Sequence, residues 1–357
     1  MGVEDAGGEG GRVVTIDVLE QHRLDEAALA AYLKAHIEGF GDDFELRQFP
    51  AGQSNPTYRI ESGGRRYVLR KKPPGKLLPS AHAVDREYRI MSALRGTGVP
   101  VPRALLLCTD AEVIGTEFFV MEMVEGRVFH DPSLPGMSPD ERRRWFADFI
   151  RVLATLHGVD FVSVGLSDFG KPSAYLERQV ARWSRQYEAS KTEDIPAMDN
   201  LVAWLPANLP ADQSVSIVHG DFRPGNTITD PAEPKLVAVL DWELSTLGHP
   251  LADLGYVCAS YHGTVPGRAD FAGLDHRAMG IPTEEEVVAL YCQHSGRQRI
   301  EDFAYYVAFS LFRSSAIAQG VFKRGLEGNA ASSDALKFGD MARERAETAW
   351  ALVERSF

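Results

Sequence analysis

Three side chains in one short segment, Asp221, Asn226 and Asp241, could carry a reaction. Asp221 and Asn226 lie five residues apart, and the two aspartates lie twenty apart. Between Asn226 and Asp241 the order is apolar run, Asp-Pro turn, apolar run, which predicts a β-hairpin. A short loop and a hairpin then bring a carboxylate, a carboxamide and a second carboxylate to one end of a small sheet. Hard oxygen donors gathered this way suit Mg²⁺, which takes few protein ligands and draws the rest from substrate phosphates. The chemistry implied is metal-assisted handling of phosphate groups.

The segment has a recognisable pattern. His219-Gly220-Asp221 with Asn226 resembles the H-R-D-x-x-x-x-N loop of protein kinases, with Gly in place of Arg. Asp241-Trp242-Glu243 stands where Asp-Phe-Gly would stand. The elements upstream have to supply a phosphate clamp. Leu24 to Phe40 has helical spacing, with Asp25 and Glu26 in its first turn. Glu45 to Phe49, Tyr58 to Ile60 and Arg66 to Arg70 read as strands, the last two separated by a Gly63-Gly64 turn. The polar loop Pro50 to Thr57 is a candidate phosphate cover, through its backbone N–H groups and the side chains of Ser54 and Asn55. Its one glycine makes a plain hairpin loop the ordinary reading of that piece alone. Arg70 ends its strand as the basic residue that would meet nucleotide phosphates, with Lys71 and Lys72 as competitors. Strand alternation sets Arg70 and Lys72 on one face and Lys71 on the other. Glu87 follows Arg70 by seventeen residues, within a helical pattern from about Ala83 to Leu94. A cation–Glu87 pair would orient the cation.

Ala104 to Cys108 and Glu117 to Val124 read as apolar strands. Glu122 and Met123 then lie at a hinge, where their backbone groups would meet an adenine edge. Ser138 to His157 is an amphipathic helix with an N-terminal capping signal. His157 at its end reads as a packing or capping residue. Ser173 to Ala189 and Met198 to Leu205 are helical, and the arginines and aromatics of the first read mainly as helix faces and core. Asp253 opens a further helix and could brace the loop around Asp221 by accepting its N–H groups. His249 and His262 read as exposed loop residues without partners. Three more helices are expected, at about Thr283 to His294, Ile300 to Phe322 and Ala330 to Glu354.

Composition narrows the class. With 44% hydrophobic and 25% charged residues in 357, the chain is an ordinary globular protein. A net charge of −12 argues against a general nucleic-acid binder. No apolar run approaches a membrane span. Cys108, Cys258 and Cys292 are far apart without metal-ligand spacing, which fits a reducing cytoplasm. The acidic, Gly-rich start lacks an apolar h-region, so Met1 to about Arg12 is expected to be a disordered tail rather than a signal peptide. Oligomeric state is not legible.

Taken together, the chain resembles the aminoglycoside phosphotransferase family of kinase-like small-molecule kinases, over nearly its whole length. Gly52-Gln-Ser-Asn-Pro-Thr57, Leu69 to His82, Arg86-Glu-Tyr88 and Asp241 to Pro250 look most similar to the branch found alone in bacteria or fused to acyl-CoA dehydrogenases. Free-standing members of that branch are often labelled acyl-CoA dehydrogenases, and 357 residues leave no room for that fold beside a kinase domain. The resemblance implies an α+β, two-lobed protein-kinase-like fold: an N-terminal antiparallel sheet plus helix over 13–124, and a mostly helical lobe over 125–357 with an insert at about 160–213. It implies ATP and Mg²⁺, and transfer of the γ-phosphoryl group to a hydroxyl. Asp221 would accept the hydroxyl proton, and Arg223 would touch the transferring group. Asn226 and Asp241 would hold metal, Arg70 with Glu87 would position phosphates, and His219 and Asp253 would support the loop.

The acceptor is a small hydroxylated molecule. Aminoglycosides are polycations and need an acidic pocket, yet Lys171 to Asp199 holds five Lys/Arg and five Asp/Glu. Late helices add Arg297, Arg299, Arg313, Lys323 and Arg324. The balance favours an anionic or neutral acceptor, and the branch resemblance points to hydroxy acids or hydroxyacyl-CoA esters. An antibiotic kinase and a nucleotide-binding pseudokinase are the alternatives.

Overall fold

The computed structural model describes residues 15–50, 55–73, 83–262, 271, 273–329 and 334–357. Ser54 and the expected N-terminal tail lie outside them. In chain order the elements are α1 (Glu26–His36), β1 (Glu45–Gln48), β2 (Thr57–Ser62), β3 (Arg65–Lys71), α2 (Val84–Leu94), β4 (Ala104–Cys108), β5 (Phe118–Glu122), α3 (Pro139–His157), α4 (Tyr175–Ser190) and α5 (Pro196–Ala207). They continue with β6 (Ser216–Val218), β7 (Thr227–Thr229), β8 (Leu236–Val239), β9 (Thr246–Gly248), α6 (Pro250–Cys258), α7 (His276–Met279), α8 (Glu284–Ser295), α9 (Phe303–Leu326) and α10 (Phe338–Ser356). The chain divides into two compact units, Met1–Val128 with Asn226–Leu244, and Phe129–Gly225 with Ser245–Phe357.

The first unit is built on a five-stranded antiparallel sheet of order β1-β2-β3-β5-β4. Alternation along the strands separates its two faces. Tyr58 and Ile60, Tyr67 and Leu69, Phe118 and Val120 form a buried cluster with Leu29 and Leu33 of α1. Asp25 caps α1, accepting the Ala28 N–H at 2.9 Å. Lys71 follows the core-facing parity of Tyr67 and Leu69 and is buried, and burial lowers the pKa of its ammonium. Arg70 has the opposite parity, like Val68, and sits across from Phe119 on β5. Helix α2 packs on β4, β5 and the turn Trp242–Leu244.

The β7–β8 hairpin completes this unit, pairing Thr227 with Val239 and Ile228 with Ala238. Thr229 exchanges two 2.8 Å backbone bonds with Arg127. Gly126 makes that approach possible, since a Cβ there would meet the Thr229 carbonyl oxygen at 2.2 Å. At the open end of the hairpin the Leu240 N–H donates to the Asn226 carbonyl at 2.8 Å. Asn226 and Asp241 therefore stand at adjacent strand ends.

The second unit is helical. Helix α9 is long and largely buried, and it packs against α4, α6 and α10. Capping boxes start α3 (Ser138 with Glu141) and α8 (Thr283 with Glu286). These reciprocal bonds satisfy N–H groups that a helix start otherwise leaves open. Two short strands, β6 and β9, pair antiparallel through Ile217 and Leu247. The sequence reading did not anticipate this pair, because three residues show no periodicity. Helix α10 begins at Phe338 after a 3₁₀ turn at Ala335–Lys337, later than the spacing suggested. Among the described residues no helix is long and apolar enough to cross a membrane.

Two histidine readings need correction. His249 is 3% exposed, not an open loop residue. Its Nδ1 accepts the Leu251 N–H at 3.2 Å, and its Nε2 donates to the Asp212 carbonyl at 3.2 Å. Its ring stacks on Tyr306, centroids 5.0 Å apart. Both nitrogens are thus satisfied in the neutral form, and burial lowers its pKa to about 4. His262 is partly buried and its Nε2 lies 2.8 Å from Glu284.

Candidate active site

In the first unit, four side chains converge beside β3. The Arg70 guanidinium donates from Nη1 to Glu87 Oε2 at 2.6 Å. It also donates from Nη1 and Nη2 to Asp241 Oδ1, each at 3.2 Å. The side chain of Asn55 donates from Nδ2 to Glu87 Oε1 at 3.1 Å. Asn55 and Glu87 are buried, so the amide supports the glutamate from behind. Burial raises the Glu87 carboxyl to about 7, against the opposing pull of Arg70. Arg70 Nε is buried and finds no acceptor among the described residues. The three neighbouring cations differ in their partners: Arg70 pairs with Glu87, Lys71 is buried, and Lys72 pairs with Glu117.

Asp241 has φ +64°. A residue with a Cβ held in the left-handed region is under backbone strain, and such strain concentrates at functional positions. Trp242 behind it is buried, its Nε1 donating to the Val239 carbonyl at 3.0 Å. Glu122 ends β5 and its N–H donates to the Arg103 carbonyl at 2.9 Å, while the N–H of Met123, the next residue, donates to the Arg66 carbonyl at 3.2 Å. Those two donors are committed to the sheet, so an adenine edge would have to use other backbone groups of the segment.

In the second unit the loop around Asp221 is held by its backbone. Asp253 on α6 accepts the His219 N–H on Oδ2 at 2.6 Å and the Gly220 N–H on Oδ1 at 2.9 Å. His157 Nε2 lies 3.4 Å from Asp253 Oδ2, and its Nδ1 lies 2.9 Å from the Tyr291 hydroxyl. Burial would raise the Asp253 carboxyl, but the hydrogen bond and charge of His157, with His219, outweigh it and hold the pKa below the usual value. Arg313 on α9 donates to the Gly220 carbonyl at 2.9 Å. Gly220 has φ +85°, which explains glycine where kinases carry arginine. His219 is fully buried and its Nδ1 accepts the Asp221 N–H at 3.2 Å.

The Asp221 carboxylate accepts from Arg223 Nε on Oδ2 at 3.1 Å and from the Tyr256 hydroxyl on Oδ1. Beside it lies a cavity of about 180 Å³ whose lining includes Phe149, Phe222, Arg223, Tyr256, Leu311 and Arg345. Its floor is aromatic and aliphatic. Arg223 and Arg345 supply its charge, His130 and His262 also line it, and no carboxylate is among its described lining residues. Sequence reasoning missed Tyr256 and Arg345. The spacing of Tyr256 three residues after Asp253 is the one signal that could have found the first, since it puts both on one helix face.

A five-stranded antiparallel sheet with an Arg–Glu clamp in one unit, and a helical unit bracing an Asp-bearing loop, are the features of a kinase-like fold. A profile of the phosphotransferase enzyme family, APH, matches residues 45–290, and the chain belongs to that family. It is 47% identical over 333 residues to acyl-CoA dehydrogenase family member 10 of Mus musculus, covering 92% of this chain and 31% of the relative. The chain spans less than half the length of the curated relatives it matches. A crystal structure from Ralstonia eutropha, provisionally described as an aminoglycoside phosphotransferase, is 48% identical with a TM-score of 0.87, covering 94% of this chain and 100% of that one. A ternary complex of aminoglycoside phosphotransferase APH(4)-Ia with AMP-PNP and hygromycin B is 16% identical, TM-score 0.59, covering 91% of this chain and 98% of that one. That likeness is one of fold.

Proposed function

We propose that the chain transfers the γ-phosphoryl group of ATP to the hydroxyl of an anionic small molecule, a hydroxy acid or a hydroxyacyl-CoA, in a cytoplasmic setting. The observation that carries the acceptor class is the cavity beside Asp221. Its apolar floor suits an acyl chain, and its Arg223 and Arg345 suit negative charge. A polycationic aminoglycoside would meet Arg223 and Arg345 there, and no carboxylate is among the cavity's described lining residues.

The donor set Asn226 and Asp241, one amide and one carboxylate at adjacent strand ends, fits Mg²⁺, which keeps few protein ligands. Bound there, the metal would neutralise charge on the β- and γ-phosphate oxygens. Arg70, oriented by Glu87, which Asn55 supports, would turn an N–H left outside these bonds, on Nη2 or Nε, to a phosphate oxygen. Ser54, in the loop outside the described residues, remains a candidate phosphate contact, and the backbone around Glu122 and Met123 a candidate adenine contact. Asp221 orients the acceptor hydroxyl and takes its proton as the oxygen bonds to phosphorus. The bond from phosphorus to the β-phosphate oxygen breaks, and ADP leaves with the electron pair. Arg223, bonded to Asp221, meets the charge on the transferring group. His219 and Asp253 keep the loop in place.

The test is an acceptor screen with Mg·ATP over hydroxy acids, their CoA esters and kanamycin-type aminoglycosides, read by phosphorylated product. Turnover of the anionic acceptors is expected. Fast turnover of aminoglycosides alone would make this an antibiotic kinase. Nucleotide binding with no transfer to any acceptor would make it a pseudokinase.

A further inference from the structure

Helix α6 holds the Asp221 loop twice. Asp253 accepts the N–H groups of His219 and Gly220. One turn on, the Tyr256 hydroxyl donates to Asp221 Oδ1. Residues three apart share a helix face, so one rigid element registers both the loop backbone and the reacting carboxylate. Arg313 fixes the arrangement from α9, donating to the Gly220 carbonyl while lying 6.0 Å from the centre of the Tyr256 ring. Tyr256 also lines the cavity beside Asp221.

A carboxylate has about four acceptor positions on its two oxygens. Tyr256 takes one on Oδ1 and Arg223 takes one on Oδ2. With both oxygens tethered, the carboxylate cannot rotate about its terminal bond, and the direction of its other lone pairs is set. We infer that Tyr256 is a positioning residue for phosphoryl transfer: its hydroxyl fixes the Asp221 carboxylate so that the acceptor hydroxyl must approach from the cavity along one direction. The inference rests on Asp221 being the group that receives the acceptor proton, and not on which acceptor is used. The hydroxyl donates and the carboxylate accepts, so removing the hydroxyl takes away the bond that holds Oδ1 in place.

The experiment uses the full chain and Tyr256→Phe, which keeps the ring beside Arg313. Both proteins are assayed for Mg·ATP hydrolysis and for transfer to the best acceptor from the screen, from pH 5.5 to 9, with Asp221→Asn as the floor. The charged and titratable groups that bond Asp221 or its loop are Arg223, His219 and Asp253, with Arg313 reaching it through Gly220. All are unchanged in the variant, so the difference between the profiles isolates the lost hydroxyl. The expected result is a kcat roughly tenfold lower across the pH range, a KM for ATP within about twofold, and an unchanged thermal shift with Mg·ADP. A variant with wild-type kcat and profile would overturn the inference. So would a loss of kcat matched by loss of Mg·ADP binding and a lower Tm, which would assign Tyr256 to packing. If hydroxy acids and their CoA esters are not turned over, the acceptor reading fails, while the hydrolysis profiles still decide the role of Tyr256.

Discussion

Glu87→Gln should remove a specific pH dependence of stability. Glu87 is 1% exposed, and burial raises its carboxyl from 4.5 to about 7 despite the bond to Arg70. The folded state therefore binds this proton more tightly than the unfolded chain. The associated stability is fully present below about pH 4.5 and is lost as pH rises through about 7. That interval corresponds to ~3 kcal/mol. His249 works in the opposite sense. Its pKa is lowered from 6.5 to about 4 by burial, so its contribution is present above about pH 6.5 and is lost as pH falls through about 4. The two slopes largely cancel over a shared window, and a flat wild-type profile would hide both. The measurement is urea unfolding of wild type and Glu87→Gln in metal-free buffer at half-unit steps from pH 4.5 to 8. The stability of wild type minus that of the variant should fall by ~3 kcal/mol across this range. A difference that stays constant with pH would mean that Glu87 ionises normally in the folded state, and the burial argument would be wrong.

Asp253→Asn keeps the shape of the side chain but replaces one acceptor oxygen with a donor facing a buried N–H. It should cost ~2–3 kcal/mol in chemical denaturation and lower kcat at least about a hundredfold. Asp241→Asn tolerates the left-handed backbone, as asparagine does. Its Tm should stay close to wild type while kcat drops by about three powers of ten or more; a kcat near wild type would remove Asp241 from the metal set. Gly255→Ala would place a Cβ 2.5 Å from the Tyr306 carbonyl oxygen, forcing α6 away from α9. Since backbone cannot yield as a side-chain tip does, a loss of ~2–3 kcal/mol is expected, with a fall in kcat because α6 carries Asp253.

What was legible in the sequence was whatever had a period or a local bond. The strands β2 and β3, α2, α3 and the β7–β8 hairpin show alternating or helical patterns over enough residues to be read directly. Arg70 could be named for Glu87 from its place at the end of the strand, but Lys71 and Lys72 stayed open beside it. What separates the three is tertiary: Lys71 is buried and Lys72 pairs with Glu117. The β6–β9 pair was missed because its strands depend on a partner almost thirty residues away. His249 was misread because burial depends on Tyr306 and Asp212, remote in sequence. Tyr256 and Arg345 carry no motif. Their place beside Asp221 and its cavity follows from α6, α9 and α10 packing together, which periodicity within one helix does not reveal.

The arginine at position 70 has a physical logic. Nη1 serves Glu87 at 2.6 Å, and both terminal nitrogens serve Asp241 at 3.2 Å. A lysine ammonium could balance the charge, but as a rotating point donor it could not hold two carboxylates in one plane. The planar fork ties the helix bearing Glu87 to the hairpin end bearing Asp241, and still keeps Nε outside both pairs. The arrangement carries more negative than positive charge, since Asp241 and Glu243 add to burial in raising Glu87. Excess negative charge at a carboxylate is what a divalent cation relieves. The same residues that make Glu87 hard to ionise are therefore those that would favour Mg²⁺ at Asp241, so clamp and metal set act as one electrostatic unit.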